Sequence, residues 1–186
     1  QFSRLLVGRC RGGLAYVNVV GSMMFSGVSG SALADISALG PVEIDMMKKD
    51  GYDADFAAAV TVSSAIQGPI IPPSIPLIIF SSLTNTSVAA LFLGGAIPGA
   101  LMGIAQIIVI YFIARKNNFP ANPIKALTLV LAFKIFYNAF WALFMPLIII
   151  GGIISGVFTA TEAASIAVAY AIVVGICAYR SLSLKQ

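Results

Sequence analysis

The chain contains no histidine, and only 10% of its 186 residues are charged. The first absence excludes His-bearing zinc sites and any nucleophile activated by an imidazole. The second excludes an ordinary soluble domain, in which about 25% of residues carry charge. Residues 56–114 hold no Asp, Glu, Lys or Arg at all, enough chain for two spans of ~20 residues and their connection. Cysteine is scarce too. Cys10 and Cys177 cannot build a disulfide framework, and neither has a metal-type neighbour in sequence. The chain opens on Gln1, with no initiating Met and no signal-peptide layout, so it is expected to be part of a longer protein.

What fills the chain is apolar: 59% of residues are hydrophobic and mean hydropathy is +0.98. This predicts an all-α polytopic membrane protein. The formal net charge of +4 lies in clusters flanking apolar segments, a pattern of topology and not of nucleic-acid binding.

Two stretches interrupt the apolar background. Gly68-Pro-Ile-Ile-Pro-Pro-Ser74 and the following Pro76 cannot continue a helix, because proline lacks the N–H, clashes with the preceding turn and forces its predecessor out of the α region. A helix is therefore predicted to stop near Gln67 and another to begin near Ser74, leaving free carbonyls between them. Irregular backbone at membrane depth is tolerated only within protein or beside a water-filled cavity, and free carbonyls there coordinate cations. The second stretch, Ser26-Gly-Val-Ser-Gly-Ser31, suits a tight turn that presents hydroxyls and N–H groups. Transporters build midplane sites from two such interruptions; a close-packing surface between helices is the alternative for the Gly/Ser run.

The remaining chain falls into segments around these two. Residues 1–12 form an interfacial arm, with Arg4, Arg9 and Arg11 on one helical face and Phe2, Leu5, Leu6 and Val7 on another. Residues 13–47 form a re-entrant hairpin, with arms from Gly13 to Phe25 and Ser31 to Met47 that are short for spanning helices. Lys48 to Asp53 is a charged turn expected in water. Residues 54–83 form one discontinuous crossing and 88–114 a full span, with Gly95, Gly99 and Gly103 at packing spacing. Residues 124–156 form an interfacial arm and a span from about Phe140 to Ile154, and 159–180 a last helix capped by Thr159 or Thr161, with Glu162 favoured by its dipole. The basic residues fall at ends expected to share one face, which the positive-inside rule makes cytoplasmic.

Several motifs in order resemble one family. They are Arg11-Gly-Gly-Leu-Ala-Tyr-Val-Asn-Val-Val20, Ser26-Gly-Val-Ser-Gly-Ser-Ala-Leu-Ala-Asp35, Gly51-Tyr52, Phe56-Ala-Ala-Ala-Val-Thr61, Gly68-Pro-Ile-Ile-Pro-Pro-Ser-Ile-Pro76 and Gly156-Val-Phe-Thr-Ala-Thr-Glu-Ala-Ala164. Together they resemble the large membrane subunit (DctM-like, M subunit) of TRAP transporters. The resemblance implies an elevator-type transporter, of which this chain holds one half of an inverted repeat. It implies sodium-coupled uptake of an organic acid across the bacterial inner membrane, with a periplasmic solute-binding protein and a small four-helix membrane subunit as partners. It further implies a sodium ion held by the Ser26 hydroxyl and the carbonyls of Gly68, Ile71 and Pro73, with Ser29 and Ser31 nearest the substrate. Asp35 is a further candidate for substrate contact; packing or capping is its alternative role. The family has a second hairpin and a second broken helix, which this chain does not contain, and the acids of Pro41-Val-Glu-Ile-Asp-Met-Met47 exceed what its second hairpin arm leads one to expect.

Energetics bear on that missing half. Moving one charge through 100 mV is worth ~2.3 kcal/mol and a tenfold gradient ~1.4 kcal/mol. One sodium entering with a monoanion moves no net charge, so concentrative uptake favours at least two ions, the second bound outside this chain. Two other functional classes compete. Gly27-Val-Ser-Gly30 resembles the nucleophile motif of intramembrane serine proteases, but no histidine is there to activate the serine. A passive anion channel would show unsaturable flux.

Overall fold

The computed structural model describes residues 12–117, 119, 129–177 and 179, the stretch 129–139 by its backbone only. The expected arm over residues 1–12, the connector around Pro120 and Pro123, and Arg180 lie outside these, Gly12 excepted. The described residues form eight helices joined by short non-helical stretches, with no strand among them.

The segment expected as a hairpin is three helices: α1 (Gly13–Ser29), α2 (Ala32–Ala38) and α3 (Gly40–Lys49). Helix α1 runs four residues past the expected end of its arm, so Ser26 lies in the helix and the turn shrinks to Gly30 and Ser31. Two features account for the difference. The Ser26 hydroxyl donates to the Ser22 carbonyl at 2.6 Å, a back-bond that lets serine sit inside an apolar helix. Gly30, at φ +61, takes the left-handed conformation that ends it, its N–H donating to Ser26 O. The second arm divides at Leu39, because Pro41 enters the first turn of α3 and offers no N–H to the turn before it. Glu43 is buried, while Asp45 is exposed and pairs with Lys49 at 2.6 Å.

The turn after α3 is only partly in water. Gly51, at φ +87, turns the chain so that Tyr52 points inward, stacked on Phe56 with Phe119 against both rings. Helix α4 (Ala54–Ala65) then packs along α1, burying Ala15, Tyr16, Val19, Ala57 and Val60 with Met47 and Ile110. The chain leaves helical geometry after Ala65 and regains it at α5 (Ile75–Thr84), where the Ser74 hydroxyl caps the Leu77 N–H at 3.4 Å.

Helix α6 (Val88–Lys116) has 29 residues, about 43 Å at 1.5 Å per residue, longer than a ~30 Å hydrocarbon core. Helix α7 (Leu129–Ile154) is continuous through Lys134 and Asn138, where an arm leading into a span was expected; no glycine or proline stands between residues 129 and 145 to break it. Helix α8 (Ala160–Cys177) begins where the Thr159 N–H and hydroxyl both donate to Glu162 at 2.8 Å, and the Glu162 N–H returns to the Thr159 hydroxyl at 3.3 Å. That is a capping box, so Glu162 has a structural task. By length and composition α6 and α8 are able to cross a membrane. Leu93, Ile97, Leu101, Ile104 and Ile108 of α6 point outward, as lipid-facing side chains do.

Candidate functional site

The two interruptions are in contact. The Ile75 N–H, at the start of α5, donates to the Gly30 carbonyl at 3.3 Å. A Cβ on Gly30 would stand 2.5 Å from the Pro73 carbonyl oxygen, and one on Gly68 would stand 2.9 Å from Ala32 N and from Ser31 C. Backbone therefore lies on backbone at both points, which only glycine permits. The third wall is α6, where Cβ atoms on Gly95 and Gly99 would meet Ile70 O at 2.7 Å and Ile71 Cγ1 at 2.6 Å. The glycine spacing of α6 is thus a seat for the interrupted segment.

Inside this frame Gly68 lies against Ser31 and Pro73 against Gly30, with Ile71 held on the α6 side. Ser29 and Ser31 are half-buried at the tip and bond locally: the Ser31 N–H donates to the Ser29 hydroxyl at 3.4 Å, and the Ser31 hydroxyl caps Ala34 N at 3.4 Å. Ser26 is fully buried one turn below the tip. Its proton goes to Ser22 O, which leaves the oxygen's lone pairs as acceptors. Among the described residues no hydrogen bond reaches the carbonyls of Gly68, Ile71 or Pro73, whereas Pro69 O accepts from the Ser74 hydroxyl at 2.6 Å and Gln67 O from Ile70 and Ile71 N–H. Neutral hydroxyl and carbonyl oxygens of this kind suit a hard cation.

Asp35 sits in the first turn of α2, 1% exposed, with the Ser22 hydroxyl beside its carboxylate but no close hydrogen bond to either oxygen among the described residues. A cavity of ≈ 490 Å³ opens on the other side of Ile71 and Pro72, bordered by Met23, Met24, Phe92 and Ile150. Its lining is apolar and offers a carboxylate no hydrogen-bond donor.

Sequence reasoning missed a buried polar ladder between α1 and α4. Asn18 donates to the Thr61 hydroxyl at 2.7 Å and accepts from the Ser64 hydroxyl at 2.8 Å, and the Ser22 and Ser64 hydroxyls lie 3.0 Å apart. The signal was present: Asn18, Ser22 and Ser26 recur every four residues, one face of a helix.

Comparison with known proteins decides the family. A model of the tripartite ATP-independent periplasmic transporter DctM component matches residues 1–186. The chain belongs to this TRAP transporter family. It is 46% identical over 185 residues to the sialic acid TRAP transporter permease protein SiaT of Haemophilus influenzae, covering all of this chain and 30% of that protein. It is 47% identical over 185 residues to the sialic acid TRAP transporter large permease protein SiaM of Vibrio cholerae, covering all of this chain and 43% of that one. It is 42% identical over 182 residues to the C4-dicarboxylate TRAP transporter large permease protein DctM of Vibrio cholerae, covering 98% and 40%. The chain thus spans less than half the length of these relatives. A TRAP permease is a transport protein and not an enzyme, and the serine-protease alternative falls.

Proposed function

We propose that this TRAP chain is an internal part of a sodium-coupled permease, holding one half of its inverted repeat, which takes up an organic acid across the bacterial inner membrane. The observation that carries the proposal is the seating of the hairpin tip on the unwound segment, Gly30 against Pro73 and Ser31 against Gly68. Two interruptions of helix meeting among apolar helices are how transporters form ion sites. The sodium ligands are the Ser26 hydroxyl and the carbonyls of Gly68, Ile71 and Pro73. Ser29, Ser31 and Asp35 serve the substrate, with Asp35 accepting from its hydroxyls, since a second carboxylate beside it would be repelled.

Dicarboxylates, sugar acids and sialic acid are the substrate class, in keeping with the names of the relatives. A periplasmic solute-binding protein delivers the substrate, and a small four-helix subunit completes the membrane complex. The hairpin with α4, α5 and α6 travels as the elevator, the Lys- and Arg-bearing ends face the cytoplasm, and the second hairpin and ion site come from the rest of the permease.

The test is uptake by proteoliposomes holding the complete permease and small subunit, with the solute-binding protein outside. Uptake should saturate and require an inward sodium gradient. Ser26→Ala should raise the sodium concentration for half-maximal uptake about tenfold, one ligand's worth. Unsaturable flux indifferent to sodium would favour the channel and defeat the proposal.

A further inference from the structure

Helix α4 ends in a way that hands one of its carbonyls to another helix. In a continuing α-helix the Ser63 carbonyl would accept from the Gln67 N–H. That N–H turns instead to Ser64 O at 3.2 Å, the tighter pattern of a helix end. The freed Ser63 carbonyl accepts from Nε2 of Gln106, on α6, at 2.7 Å. The same side chain accepts through Oε1 from Nε2 of Gln67 at 2.6 Å. Chemistry fixes these orientations. A carbonyl can only accept, so Gln106 must present Nε2 to Ser63 and Oε1 to Gln67, and Gln67 must answer with its Nε2.

Gln67 is fully buried, and its Oε1 meets no donor among the described residues. The hydrogen bond that Gln67 donates to Gln106 is therefore what orients this side chain. The main chain of Gln67 does more: its carbonyl accepts from the Ile70 N–H at 3.0 Å and the Ile71 N–H at 2.8 Å, closing the turn that carries Gly68 and Ile71. Gly103 brings α6 close at this level, since a Cβ there would lie 3.2 Å from Gln67 Oε1.

We infer that Gln106 is a positioning residue: a side-chain cap lent by α6 to the cut end of α4, which through Gln67 sets the carbonyls of Gly68 and Ile71 toward the cation. The inference rests on the sodium reading above. Gln106 itself touches no ion.

Sodium titration of uptake in the complete reconstituted system tests it. Gln106→Met keeps the length and deletes both hydrogen bonds; Gln106→Asn keeps an amide too short to span both partners. Gln106→Met should raise the sodium concentration for half-maximal uptake roughly tenfold, the scale of a buried acceptor left unpaired, with the maximal rate retained at saturating sodium. Gln106→Asn should move it in the same direction by less, and it answers the question if the Met variant fails to fold. Adding Gln67→Met to Gln106→Met should leave the shift near tenfold, because both break one chain of contacts. Unmoved sodium dependence in the Gln106 variants while Ser26→Ala shifts it, or a lower maximal rate alone, would overturn the inference. Wild-type uptake that ignores sodium would overturn the sodium reading itself.

Discussion

A single methyl group placed on Gly68 tests whether the tip and the interruption work as one site. The added Cβ would stand 2.9 Å from Ala32 N and from Ser31 C, where ordinary contact needs about 3.5–4.0 Å. Both neighbours are backbone, and Gly68 has no positive φ, so the cost is displacement of the tip and not strain at the substituted residue. Overpacking of this kind costs about 1–3 kcal/mol. If the ion is bound only when the tip is seated, the whole cost falls on the bound state, a ~5- to ~150-fold rise in the sodium concentration for half-maximal uptake. Sodium-dependent uptake in proteoliposomes reads this directly. Gly94→Ala is the control, because nothing lies within 4 Å of a Cβ there; it should leave sodium dependence unchanged. If Gly68→Ala stays within twofold of the wild type while folding normally, the two interruptions do not form one ion site.

The seat on α6 should show a graded response. Gly95→Ala drives a methyl against the Ile70 carbonyl oxygen at 2.7 Å, whereas at Gly103 the nearest atoms are the thioether end of Met23 at 2.5 and 2.7 Å, which can swing aside. Gly95→Ala should therefore impair uptake several-fold more than Gly103→Ala, and the reverse order would refute the seat. Asn18→Leu should lower thermal stability in detergent by about 1–2 kcal/mol, two hydrogen bonds' worth. The loss should stop there, because the Thr61 and Ser64 hydroxyls keep the carbonyls of Ala57 at 2.9 Å and Thr61 at 3.0 Å as acceptors. A much larger loss would mean the ladder is more tightly coupled than its geometry indicates.

The helical class and the family could be read from residues because both are written locally, in hydropathy and in the order of short motifs. The end of α4 and the start of α5 are likewise set by local proline chemistry, with Ala65 and Ile75 close to the Gly68–Pro76 run. The tip was harder. A run of serine and glycine reads as a turn, yet the serine back-bond to the preceding turn keeps Ser26 helical, and Gly30 alone ends α1. Spacing marked the glycine face of α6 but not its partner, since a face carries no address. Gln67 and Gln106 stand 39 residues apart, and no local rule couples two amides across that distance.

The three glycine contacts also bear on how such a site survives among lipids. An unpaired backbone group facing lipid costs several kcal/mol, so an interruption persists only where protein or a water-filled cavity surrounds it. Gly68 admits the hairpin tip on one side and Gly95 admits α6 on the other. Side chains at these positions would hold the walls away and expose the carbonyls to hydrocarbon. Glycine thus serves two ends in the proposed site: it admits other backbone to the interruption, and it packs hairpin, interruption and α6 into one unit. In the proposed elevator, motion then falls at a looser boundary. The Gly27–Pro146 contact between α1 and α7 fits that description: there a Cβ would find the proline side chain at an ordinary 3.7 Å, a surface that can slide without breaking a backbone hydrogen bond.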